Sequence, residues 1–167
     1  TEERAAAKSK KNLKTYRKKV YNNPTSPIAG NPKGDVTVVE FFDYACGYCK
    51  KMRSDIKQLL KEDKNVRFVF KELPIFGPSS EMVSKAALAS VRQKKYFKFH
   101  MALLESKGRL NKKSLMKVAK SVGLDTAKLE KDMKDPKIAD IIKSNQELAA
   151  DLNISGTPAF IIADKIY

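Results

Sequence analysis

The sequence predicts an α/β fold in which a strand–helix–strand unit is followed by a block of helices and a returning strand. Three observations carry that reading. Val36–Phe42 is an almost continuous apolar run rich in β-branched and aromatic side chains, the pattern of a strand buried on both faces, and residues 66–73 supply a second strand. Between them Met52, Ile56, Leu59 and Leu60 fall at helical spacing. From 79 to 153 the apolar residues recur at helical intervals, and only then does another strand pattern return.

A chain of 167 residues is one domain with room for an inserted or appended piece. Hydrophobic residues at 42% and charged residues at 32% describe a globular protein, and no apolar run approaches the roughly 18 residues of a membrane span. Ala5, Ala6 and Ala7 sit among charges, which is no signal peptide; an exported protein of this sequence would be in its mature form. Basic residues number 34 against 19 acidic, for a net charge of +15. Nucleic acid, anionic membrane and acidic partners all fit such a charge. The lysines are scattered, however, with no aromatic–basic motif or zinc-finger spacing, so a solvated lysine-rich surface is expected and no nucleic-acid partner.

Residues 1–23 form the first unit. Helix formers fill 2–21, where Ala6, Leu13, Tyr16 and Val20 recur at near-heptad spacing and make a narrow apolar stripe on a basic helix. The stripe needs a partner, either the body of the same chain or the equivalent helix of a second subunit in a homo-oligomer. Residues 24–35 are dense in Asn, Pro, Gly and Ser and read as a linker. Residues 36–78 hold the strand–helix–strand unit, closed by Pro74, Gly77 and Pro78. Residues 79–153 are a helical insertion with breaks at Gly123 and at Asp135-Pro136. Residues 154–167 start with Gly156-Thr157-Pro158, continue as the strand 159–163 and turn at Ala163-Asp164-Lys165. The hairpin partner has barely begun at Tyr167, so a further strand and helix are expected to be missing, leaving a bare edge and face.

The only two cysteines, Cys46 and Cys49, flank Gly47-Tyr48 between a strand end and a helix start. Three readings compete: a structural bridge, part of a metal site, or a redox pair. A bridge over so short a loop removes little denatured-state entropy. A metal site lacks ligands, since His100, the only histidine, lies in a separate helical stretch and fits a packing role. The redox reading suits the position. Disulfides are attacked by thiolates, and a helix N-terminus offers unpaired N–H groups and partial positive charge to an accessible Cys46 sulfur. Cys49, one turn deeper on the same face, is placed to resolve the mixed disulfide.

The segment Glu40-Phe41-Phe42-Asp43-Tyr44-Ala45-Cys46-Gly47-Tyr48-Cys49-Lys50, the helical insertion and Gly156-Thr157-Pro158-Ala159-Phe160 together resemble the DsbA-like thioredoxin-fold proteins of bacterial envelopes. That resemblance covers residue 28 to the end. It implies a thioredoxin fold with an inserted helical domain, to which the helix of 2–21 is an N-terminal extension, and thiol–disulfide exchange with no cofactor beyond the Cys46–Cys49 disulfide. Pro158 would be the cis-proline facing the site. Thr157 would contact substrate backbone and the sulfur of Cys46, its alternative being a turn residue entering a strand. Glu40 would be the acid beneath the site that relays a proton to Cys49, its alternatives being a strand-edge or ion-paired carboxylate.

Gly47-Tyr48 departs from the Pro-His of strong oxidases and, with Thr157, is similar to the DsbC and ScsC types. Isomerase or reductase activity is therefore expected ahead of DsbA-like oxidation, and a redox-inactive, chaperone-like peptide binder is the reading from another class. The implied setting is periplasmic, with unfolded or misoxidised proteins as substrates and a membrane protein as redox partner. Tyr48 and Phe76 are candidates for the flanks of an exposed apolar groove.

Overall fold

In the computed structural model, which describes residues 1–167, β2 (Val36–Phe42) and β3 (Val66–Glu72) run parallel, from Val36 opposite Val66 to Phe42 opposite Glu72. Antiparallel neighbours extend the pair on both sides: β1 (Ile28–Gly30) along β3, then β4 (Ala159–Ile162) along β2 and β5 (Lys165–Ile166) along β4. The five-stranded order is β1-β3-β2-β4-β5.

Side chains alternate across a strand, so the apolar runs feed two cores. Val38 and Phe42 of β2 join Val66, Phe68 and Phe70 of β3 on the front face. There they meet α3 (Gly47–Glu62), α4 (Pro78–Ser90), α5 (Tyr96–Glu105), α6 (Lys112–Ser121) and α7 (Thr126–Met133). Val39, Phe41, Val69 and Ile161 face the back, against α1 (Glu2–Thr15), α2 (Arg17–Tyr21) and the end of α8 (Pro136–Asp151). The long helix α8 serves both cores, giving Ile138 and Ile142 to the front and Leu148 and Ala149 to the back.

Helix starts follow the local chemistry. Asn111 and Ser114 make a reciprocal capping box on α6, Asp125 caps α7 through the Lys128 amide, and Asp135 caps α8 with Pro136 in its first turn. Each satisfies amides that a helix N-terminus otherwise leaves bare.

Three boundaries differ from the sequence reading. The stretch 24–35 is more than a linker, because it carries β1, with Ile28 opposite Val69. Its three residues fill the sheet edge, and Gly30 is required there, since it has φ +79° and a Cβ would meet Val66 O at 2.5 Å. The helix of 2–21 is broken at Tyr16, and Leu13, Val20 and Tyr21 are buried on the chain's own sheet. Of the two partners open to the stripe, the body of the same chain takes that part of it. Lys71 Nζ donates to Lys19 O at 2.6 Å and Arg67 to Tyr21 O at 2.7 Å, two cations at the carbonyl end of α2. The final turn is a two-residue turn, Ala163 and Asp164 both having positive φ, and Lys165 already belongs to β5. Between α3 and β4 the front face is open, forming an apolar hollow that includes Ile56, Phe68, Phe160 and Tyr167. No helix is long and apolar enough to cross a membrane.

Candidate active site

Cys46 is the N-cap of α3, and the Cys49 amide donates to its sulfur at 3.3 Å. This is the helix-terminus position inferred from sequence, with a backbone donor aimed where negative charge would form. The Cys46 thiol in turn donates to Thr157 O at 3.4 Å. The Thr157–Pro158 bond is cis, as the resemblance implied, and the loop brings residues 111 positions away onto the reactive sulfur. Both cysteines are free thiols.

Access is tighter than expected. Cys46 keeps only 4% of its surface, because the Thr157 carbonyl and the first turn of α3 close over it. The approach lies over its neighbours: Gly47 is exposed, with nothing within 4 Å of where a Cβ would stand, and Tyr48 is 71% exposed under Lys51.

Cys49 is 1% exposed. Burial pushes its thiol well above the ordinary range, the hydrogen bond with Cys46 adds to this, and the charge of Glu40 adds further. Glu40 shares the front face with Val38 and Phe42, pairs with Phe70 and Phe160 in an interior strand, and makes no ion pair. Neither the strand-edge nor the ion-paired alternative therefore describes it. Burial raises its carboxyl to about 8, so it is mostly protonated at neutral pH.

Two groups of residues escaped the sequence reading. Asp43 is fully buried and works as a clamp: Oδ1 accepts from Ala45 N at 2.7 Å and Ser80 Oγ at 2.9 Å, while Oδ2 accepts from Ile75 N at 2.8 Å and Phe76 N at 3.2 Å. It joins the cysteine loop to the turn before α4. The second group is a buried polar cluster. Tyr44 and Tyr96 both donate to Glu72 Oε2, at 3.1 and 2.7 Å, and Tyr44 Oη lies 2.7 Å from His100 Nδ1. Burial raises Glu72 to about 8 and lowers His100 to about 3, so both are neutral near pH 7. His100 packs against Phe42 and Phe70 and stacks on Tyr96, away from the cysteines, in the packing role foreseen for it. No local pattern marked Glu72, since its strand also carries Arg67 and Lys71 and its partners lie 24 and 28 residues away.

Residues 37–167 match the family described as DSBA-like thioredoxin domain. The chain belongs to this family of thiol–disulfide oxidoreductases. A thioredoxin-like oxidoreductase from Silicibacter pomeroyi DSS-3 is 43% identical, covering 90% of this chain and 87% of that one with a TM-score of 0.87. The thiol-disulfide exchange protein alpha-DsbA2 of Wolbachia pipientis is 34% identical, covering 97% and 88% with a TM-score of 0.90. The catalytic domain of Proteus mirabilis ScsC is 29% identical, covering 95% and 88% with a TM-score of 0.87. The DSBA-like domain also spans 21% of the length of the first curated relatives it matches, Na(+)/H(+) antiporters of two Salinispora species. The fold of this chain is thus of the thioredoxin type, with its own helical insertion, and matches DsbA-like structures.

Proposed function

We propose that the chain reduces and reshuffles disulfides in unfolded or misoxidised proteins, with Cys46 as nucleophile and Cys49 as resolving thiol. The observation that carries this is the placement of Cys46 Sγ between the Cys49 amide and the Thr157 carbonyl, with Cys49 buried one turn below. The Cys46 thiolate attacks a substrate disulfide, forms a mixed disulfide and expels one substrate thiolate. Cys49, after giving up its proton, attacks the Cys46 sulfur and expels the second. The net transfer is two electrons to the substrate, leaving the Cys46–Cys49 disulfide. In isomerisation a substrate thiolate attacks the mixed disulfide instead, and no net electrons move.

Reduction and isomerisation are favoured over oxidation because no imidazole faces Cys46. Gly47-Tyr48 separates the cysteines and the one histidine is turned into the core cluster. A strong oxidant requires a well-stabilised reduced form, and that partner of the sulfur is lacking here. Thr157 and the cis-proline loop would pair with substrate backbone, while Gly47 and Tyr48 present the exposed rim. The bacterial periplasm, where protein disulfides form and persist, is the proposed setting, with a membrane redox protein resetting the pair.

Insulin reduction and refolding of a scrambled disulfide protein test the assignment together. An isomerase–reductase is active in both. Activity confined to oxidising reduced substrates would replace it with an oxidase, and inactivity in all three with a peptide-binding module.

A further inference from the structure

Beside the cysteine motif runs a groove whose apolar lining includes Tyr44, Val83 and Leu110, with the half-exposed ring of Phe76 among them. Lys50 and Arg109 also line it, and no carboxylate does. Lys50 Nζ donates to Ser106 O at 2.9 Å and Gly108 O at 3.5 Å, and Arg109 donates to Phe76 O at 2.6 Å. These bonds fix the two cations without cancelling them, because a carbonyl carries no net charge. Donors remain free, since an ammonium has three and a guanidinium five. Asp43, bonded to the groove residue Ser80, already has both oxygens occupied by four donors.

We propose that this groove takes an acidic stretch of the protein substrate, a carboxylate lying between Lys50 and Arg109 and an apolar neighbour against Phe76. The chain then favours disulfides flanked by Asp or Glu. The inference rests on the thiol–disulfide reading and names its substrate class. Charge complementarity selects that occupant. Two immobilised cations on an apolar floor attract a carboxylate and repel a lysine, and guanidinium matches carboxylate in two parallel hydrogen bonds. Gly47 and Lys50, from the first turn of the cysteine helix, line the same groove. A segment seated there brings its disulfide to the rim of Cys46.

The test uses disulfide-bonded peptides identical except for Asp, Asn or Lys beside the cysteine, reacted with the reduced protein at low and high salt. The expected result is an Asp peptide about tenfold faster than its Asn counterpart at low salt, with the advantage shrinking as salt rises. Arg109→Gln and, separately, Lys50→Gln should each cut that Asp-to-Asn ratio severalfold. Lys143→Gln, an equal charge change on α8, should leave it intact. A ratio near one in the natural protein overturns the proposal. So does an equal fall in the Lys143 variant, which would mean that the net charge of the whole molecule steers substrates. Loss of the underlying activity looks different, because then no peptide reacts, whatever its charge.

Discussion

Tyr44 Oη donates to Glu72 Oε2 at 3.1 Å inside the core, tying the residue two before Cys46 to the last residue of β3. The same oxygen meets His100 on α5, so the cysteine loop is anchored to sheet and helical insertion through one phenol. Tyr44→Phe keeps the ring packing on Phe42 but removes the only polar partner of His100. A cost of about 1–3 kcal/mol is expected in chemical denaturation. The loosened loop should also uncover Cys46, so its alkylation by iodoacetamide should speed up. An unchanged alkylation rate would limit the cluster to a purely stabilising role.

Two buried acids set the response to pH. Glu40 and Glu72 are both raised to about 8 by burial, so the folded chain holds two protons that the unfolded chain releases above its ordinary carboxylate range. Their contribution is full at low pH and is lost as pH rises through about 8. His100, lowered to about 3, works the other way and weakens the fold as pH drops below 6.5. The acids therefore act unopposed by it between about 6.5 and 8, where stability falls most steeply, by up to about 1.4 kcal/mol per pH unit for each carboxyl. Urea unfolding at pH 6.5 and 8 measures the slope, and Glu40→Gln should reduce it.

What could be read from the sequence was whatever the chain writes locally. The strands 36–42 and 66–72, the start of α3 at the cysteines and the breaks at Gly123 and Asp135-Pro136 all follow from periodicity and capping within a few residues. β1 could not be read that way, because three residues carry no period and its pairing with Val69 is settled by tertiary packing. The approach of Thr157 to Cys46 was legible only through family resemblance, since no local pattern joins positions 111 apart. The Glu72 cluster was hidden for the same reason. Its members come from β3, the cysteine loop and α5, and each alone passes for a packing residue.

The N-terminal helices answer to the sheet they cover. Leu13 is 1% exposed and shares the back core with Val39, Phe41 and Ile161, whereas Ala6 is exposed. Leu13→Ala should cost about 2–5 kcal/mol in denaturant unfolding, and Ala6→Ser close to nothing. Deleting 1–21 should give an aggregating chain, with the apolar back of the sheet bared. A soluble, folded product of that deletion would show the helices to be an accessory.

The two cysteines should separate cleanly under substitution. Cys46→Ser removes the attacking sulfur, and insulin reduction should fall to the uncatalysed rate. Cys49→Ala leaves the attack intact but nothing to resolve it, so mixed disulfides with substrate should accumulate and be visible on non-reducing gels. We propose that Glu40 acts at the second step. Cys49 has to shed a proton although burial holds its thiol up, and the ionised fraction of the Glu40 carboxyl, which grows as pH rises toward 8, would take it. Glu40→Gln should therefore slow release of substrate from the mixed disulfide by about tenfold or more while sparing the first attack, and should erase any inflection near pH 8 in the release rate. Equal slowing of both steps would assign Glu40 to the architecture of the front core alone.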